Sequence, residues 1–85
     1  MKINDVKYIK NYIIKIVLDN GEQYKIDLGT IIKEFVQKYN KFNELLDNDY
    51  FKNIRLNTEW NTVEWDNGFD ICPDQLQLFI LAQTA

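Results

Sequence analysis

Trp65-Asp66-Asn67-Gly68-Phe69-Asp70-Ile71-Cys72-Pro73-Asp74-Gln75-Leu76 compresses a strand end, a tight turn, a short returning strand and a helix start into one run. Asn67-Gly68 is a strong turn signal, because both residue types tolerate positive φ at little steric cost. Thr62, Val63 and Trp65 ahead of it suit a pleated, half-buried surface. Pro73 fits the first helical position, where its missing N–H costs nothing. Asp74 then places a carboxylate at the positive end of the helix dipole. Leu76, Phe79 and Ile80 recur at i, i+3, i+4 and give one apolar helix face. The stretch therefore docks a C-terminal helix, from Pro73 to about Leu81, onto a sheet. Asp70 is expected to bond backbone N–H groups in the turn or at the helix entry, as short polar side chains do.

Upstream, residues 3–28 read as a three-stranded antiparallel meander. Ile3, Val6 and Tyr8 open it, and Lys10-Asn11 marks a bend. Tyr12, Ile14, Ile16 and Leu18 form the better core face; Ile13, Lys15 and Val17 form a mixed face that is partly covered. Asp19-Asn20-Gly21 is the clearest hairpin signal. Tyr24, Ile26 and Leu28 then alternate with Gln23, Lys25 and Asp27, a strand with one polar face. Asp27 ends that strand and is expected to play a structural part like that of Asp70.

Gly29-Thr30 breaks the strand pattern, with Thr30 as the expected helix cap. Ile31, Ile32, Phe35, Val36 and Tyr39 predict a helix over 31–39. Phe42, Leu45 and Leu46 make a short apolar patch, and Asp49 is expected to cap a turn of helix carrying Tyr50 and Phe51. Ile54 and Leu56 flank Arg55 in a fourth strand, residues 57–61 form a turn, and Thr62–Trp65 is a fifth strand. Gln83-Thr84-Ala85 is expected to fray. The predicted architecture is α+β: one domain over residues 1–85, in which the meander and a later strand pair build one antiparallel sheet with two or three short helices packed on it.

Composition narrows the function classes. The chain has 85 residues, 46% of them apolar and 14% aromatic, so it is expected to fold rather than stay disordered. A chain this short buries only about 60–65% of its unfolded surface. One cysteine, Cys72, forms no intramolecular disulfide, and Met1-Lys2-Ile3-Asn4-Asp5 is not an export signal, so a reducing cytoplasm is the expected compartment. No apolar run approaches a membrane span. The wealth of Ile, Asn and Lys points to an AT-rich bacterial coding sequence. Net charge is −3, unevenly spread: residues 1–41 carry eight Lys against five acids, net +3, and residues 42–85 carry Lys52 and Arg55 against eight acids, net −6. A nucleic-acid binder is usually more basic than this.

There is no histidine. That removes His-dependent nucleophile systems and the usual imidazole metal sites. The three glycines are isolated, so no phosphate loop is present. Cys72 precedes a helix start, which can activate a thiol, but the expectation is a small buried residue. Asp66, Asp70 and Asp74 are close in sequence yet lack the pattern of a calcium loop. No metal, cofactor or catalytic residue is expected. Trp60, between Glu59 and Asn61 in a predicted turn, is the best candidate for an exposed aromatic, and exposed aromatics are frequent binding hot spots. The alternative for Trp60 is that it folds back over the core edge. Lysines interleaved with tyrosines in the meander offer a second surface, for single-stranded nucleic acid, although Lys and Tyr mostly fall on opposite faces.

These residues together carry a resemblance. Val6, Tyr12, Ile14, Asp19-Asn20-Gly21, Asp27-Leu28, Leu46-Asp47, Phe51 and Trp65-Asp66-Asn67-Gly68-Phe69-Asp70-Ile71 with Pro73 and Leu76 resemble domain of unknown function family 2442, a set of small, mostly bacterial proteins. The Trp-x-x-Gly-x-Asp-Ile-x-Pro piece is the most specific part. Between Gly29 and Phe42 the chain departs from the pattern by what reads as an added apolar helix. The resemblance implies a compact α+β fold in which Asp27, Trp65, Asn67, Gly68, Asp70 and Pro73 act mainly in the structure, and it supplies no catalytic residues. It also implies relatives that stand alone or are fused to a helix-turn-helix domain, often beside another small gene, an arrangement like a toxin–antitoxin or regulatory pair. A chain ending at Ala85 is expected to lack such an appended domain.

The expected function is a non-enzymatic protein-interaction module, the antitoxin-like or regulatory member of a two-gene bacterial system. Its acidic half would suit a basic small protein partner, with self-association as another outcome. Trp60, Glu59, Glu64 and Asp66 are the candidate partner contacts. The alternative is a nucleic-acid-binding accessory protein that uses the Lys-bearing meander.

Overall fold

In the computed structural model, which describes residues 2–84, the N-terminal meander forms as the alternation predicts. Its strands are β1 (Ile3–Lys10), β2 (Ile13–Leu18) and β3 (Gln23–Asp27), antiparallel in the order β1-β2-β3. Ile14 faces Tyr8 and Ile26, and Ile16 faces Val6 and Tyr24, so these residues line the inner face. Ile14, Ile16 and Ile26 are fully buried. Ile13, Lys15 and Val17 on the outer face are half-buried, which matches the mixed reading of that face.

The Asp19-Asn20-Gly21 turn closes through Gly21 N–H donating to Leu18 O (3.0 Å) and Leu18 N–H donating to Glu22 O (2.8 Å). Gly21 alone of the three has positive φ, at +90°. This is a type I turn followed by a glycine bulge, not the two-residue turn in which Asn and Gly both take positive φ.

Helix α1 spans Gly29–Lys38. It starts a residue ahead of the expected cap: Thr30 lies inside it, and Asp27 Oδ1 instead accepts Gly29 N–H at 2.8 Å. Ile32 and Val36 point into the core. A 3-10 helix over Asn40–Leu46 follows and buries Leu45. Helix α2 (Asn48–Phe51) is capped by Asp47, whose side chain accepts Asp49 N–H, so the cap falls two residues before the predicted one. The chain then forms β4 (Arg55–Asn57), β5 (Thr62–Glu64) and β6 (Asp70–Ile71) before α3 (Pro73–Thr84).

The α+β class holds, but the later strands do not extend the meander. They make a second antiparallel sheet of their own, ordered β4-β5-β6. Both meander edges are otherwise occupied. At β3, Gln83 of α3 bonds the Asp27 backbone on both sides, with Oε1 accepting Asp27 N–H and Nε2 donating to Asp27 O, each at 2.9 Å. Gln83 is therefore held in the last turn of a helix that runs past Leu81, not frayed; Ala85 lies outside the described residues. At β1, register shifts between Ile3 and Asp5 and between Tyr8 and Lys10 break the ladder, and such bulges twist an edge away from further pairing. There Asn61 Oδ1 accepts Ile3 N–H at 2.9 Å, a side-chain tie in place of a strand pair.

The core that joins the two sheets is a chain of aromatic rings. Tyr12 meets Phe51 edge-on with centroids 5.1 Å apart, Phe51 meets Trp65 at 5.5 Å, Trp65 meets Phe69 at 5.4 Å, and Phe69 meets Phe35 at 4.6 Å. Trp65 is fully buried, and its indole N–H donates to Phe51 O at 2.9 Å. A buried indole needs such a partner, because leaving the donor unmade costs about 1–3 kcal/mol. Trp65 and Phe69 flank the second turn, so the stretch that decides the fold also supplies the middle of this ring chain. Among the described residues, no helix is long and apolar enough to cross a membrane.

Candidate protein-binding surfaces

Of the motif residues, Asp27 ends β3, Trp65 to Asp70 span the second reversal and Pro73 opens α3. Gly68 has φ +92° and its N–H donates to Trp65 O, while Trp65 N–H donates to Phe69 O. Asn67 does not take positive φ; its Oδ1 accepts Phe69 N–H at 3.1 Å and its Nδ2 donates to Glu44 Oε2 at 3.2 Å. Asn67 thus does in the turn what was expected of Asp70. Asp70 is exposed and caps nothing at the helix entry, where Cys72 O accepts Leu76 N–H and Pro73 takes the first helical position.

The four partner-contact candidates divide between the two ends of the β4–β5 hairpin. At its tip, Asn57 Oδ1 accepts both Glu59 N–H (3.0 Å) and Trp60 N–H (3.1 Å). Asn61 closes the loop with φ 58° and ties it to β1 through Ile3. The loop is therefore fixed on both sides, and it holds Trp60 71% exposed rather than folded over the core edge. At the other end, Arg55 bonds Glu64 at 2.9 Å and also Asp66. The Asn57 amide and then Arg55 hold the Glu64 carboxyl below its ordinary range. The bonds from Asp66 and Glu64 in turn raise the Arg55 guanidinium further. Glu64 and Asp66 are thus already engaged by an internal cation, whereas Glu59 at the tip has no ion pair among the described residues.

Register sets Arg55 opposite Glu64 and Glu64 opposite Asp70, so the three form one row across β4, β5 and β6. Asp70 ends that row with no cation beside it among the described residues. Like charges directly opposite each other are destabilising, which leaves the β6 end of the row short of positive charge.

Sequence reading missed a groove of about 550 Å³ between α1, β6 and the start of α3. Ile31, Phe35, Ile71 and Phe79 make its apolar walls and floor, with Asp70 and Cys72 at the rim. Cys72 is exposed there, not buried as expected, because burial alternates along Asp70, Ile71 and Cys72 and the inward position falls to Ile71. The helical spacing of Ile31, Phe35 and Phe79 was visible, but those residues were assigned to the core. Phe35 and Phe79 are in fact only half-buried.

The meander carries a different surface. Lys7, Lys15 and Lys25 lie opposite one another across all three strands on the outer face, while Tyr8 and Tyr24 sit on the inner one. Lys7 is also 3.9 Å from Asp5. The row can hold an anion by charge but brings no ring for base stacking. Asp66, Asp70 and Asp74 do not converge: no group of three or more His, Cys, Asp or Glu able to hold a metal is present among the described residues.

The chain belongs to the family described as protein of unknown function (DUF2442), whose model matches residues 3–78. It is similar in fold to a crystal structure from Nitrosomonas europaea described as a "putative DNA binding protein", with a TM-score of 0.78 and 23% identity. That match covers 98% of this chain and 50% of the other, so the chain spans about half the length of that protein. Among curated proteins, none matches the chain.

Proposed function

We propose that this member of the family is a non-enzymatic protein-interaction module, the antitoxin-like or regulatory half of a two-gene bacterial system that works in the cytoplasm. The observation that carries the reading is Trp60, held 71% exposed on a loop fixed by Asn57 and Asn61. A large apolar ring on a pre-ordered loop loses little entropy when it binds, which is the usual profile of an interface anchor. Glu59 beside it and the acidic C-terminal half favour a basic partner. The test is affinity capture of the tagged chain from its native host at physiological salt. One stoichiometric small basic protein should be retained by the wild type and lost with Trp60→Ala, while the melting temperature stays unchanged. Capture of no partner at micromolar protein rules the reading out.

A second reading, nucleic-acid binding, is favoured by the Lys7–Lys15–Lys25 row and by the likeness to a structure described as a "putative DNA binding protein". It predicts a mobility shift that weakens steeply with salt and with Lys15→Ala. No binding at low salt removes it.

A further inference from the structure

We propose that the outer edge of β6 accepts an extended strand from a basic partner protein, laid in the groove between α1 and α3. This deepens the protein-interaction reading and rests on it, but it places a second contact away from Trp60.

The backbone geometry points to a strand. Trp65 N–H donates to Phe69 O, while Trp65 O takes Gly68 N–H, so 65 and 69 occupy a hydrogen-bonding position that the glycine bulge leaves with a single bond. Pairs alternate along an antiparallel ladder, so Glu64 and Asp70 form a non-bonded pair, and the N–H and C=O of Asp70 point outward. Among the described residues, no strand pairs with that side of β6, the last strand of its sheet. The groove lies along it. Free strand edges that face a groove are the substrate of strand addition, in which main-chain bonds give affinity and alternate side chains give specificity.

The side chains define what the strand must carry. A residue set opposite Asp70 would extend the Arg55–Glu64–Asp70 row, and a Lys or Arg there supplies the charge that the end of the row lacks. Its two neighbours would point to the other face, over Ile71 and between Phe35 and Phe79, where apolar groups fit. The required pattern is apolar-basic-apolar. On the α1 wall stand one acid, Glu34, and one base, Lys38, so that wall adds no net charge. A second copy of this chain does not meet the requirement, because antiparallel pairing of β6 with β6 about its outward-facing residue would set Asp70 against Asp70.

The probe is a blocked octapeptide of alternating Val and Lys, with a Val/Glu octapeptide as control, titrated into the full chain while backbone amides are followed by NMR. The Val/Lys peptide should slow exchange of the Asp70 amide and shift the groove residues, and the Val/Glu peptide should not. Asp70→Lys should weaken the Val/Lys peptide by about tenfold and reverse the preference. Equal binding of both peptides, binding that leaves the Asp70 amide unprotected, or protection that grows with protein concentration alone (a second copy on the edge) would each overturn the proposal. The Trp60 contact is tested separately by capture with Trp60→Ala, so a failure at the hairpin tip and a failure at the β6 edge are distinguishable.

Discussion

Asp-Asn-Gly occurs twice in this chain, at 19–21 and at 66–68, and the two turns are locally alike. In each, the glycine N–H donates to the residue before Asp, at 3.0 Å in the first and 3.1 Å in the second. In each, the Asn side chain accepts the N–H two residues on, at 2.9 Å for Asn20 and 3.1 Å for Asn67. In each, only the glycine takes positive φ, at 90° and 92°. Their surroundings differ completely. Leu18 and Glu22 flank the first turn, and Glu22 is exposed; Trp65 and Phe69 flank the second, and both are buried in the ring chain. The first turn links two strands of the meander at a solvent-facing tip. The second hangs the β4–β6 sheet and the start of α3 from the core. Three residues thus fix how the backbone reverses, while the flanking side chains decide what the reversal holds together.

The largest expected break in this comparison is at the flank. Phe69→Ala should cost about 3–5 kcal/mol by urea unfolding, because it empties the middle of the ring chain. Glu22→Ala, at the matching position of the first turn, should stay within about 0.5 kcal/mol. Equal costs would mean that the ring chain does not carry the second turn.

A smaller effect should be the same in both turns. Gly21→Ala and Gly68→Ala meet no neighbouring atom within 4 Å, so each should lose only the left-handed backbone term, about 1–2 kcal/mol. A clear difference between them would show that the two turns are not conformational equals. Asn67→Ala should then exceed Asn20→Ala by about 0.5 kcal/mol, since Asn67 alone adds a bond to Glu44.

The smallest expected effect is a pH dependence tied to the second turn. Glu64 has a folded pKa below its ordinary value of 4.5, so its contribution is fully present above that value and is lost as pH falls through the folded pKa. Melting curves taken from about pH 6 down to about pH 3 should fall more for the wild type than for Glu64→Gln. Parallel curves would show that the Asn57 and Arg55 bonds to Glu64 do not favour its charged form.

Much of this was legible in the chain itself. Period-two alternation gave the meander and its core face, because Ile14, Ile16 and Ile26 can be buried together only in that register. Asn-Gly pairs located both reversals, and Pro73 with Leu76 and Ile80 set the last helix and its buried face. Each expected cap lies two residues past the observed one, Thr30 past Leu28 and Asp49 past Asp47, because Thr30, Asp47 and Asp49 all suit a helix start and only the backbone path selects among them. The candidate site was legible in part. A turn offers a large ring little to pack against, which makes Trp60 the best candidate for exposure, but the alternative of folding over the core edge stays open in the sequence and only the structure decides it. Its fixed loop was not foreseen, because Asn57 and Asn61 act through bonds to backbone groups that composition does not reveal.

The sequence by itself therefore determined the α+β class, the meander and the two Asp-Asn-Gly reversals, all of which depend on residues near one another in the chain. The tertiary structure alone decided that there are two sheets, that Cys72 is exposed, that Arg55 engages Glu64 and Asp66, and that β6 leaves an open edge along a groove. Each of these depends on packing between distant segments: Gln83 reaching Asp27 across 56 positions and Phe35 meeting Phe69 are contacts that no local period encodes.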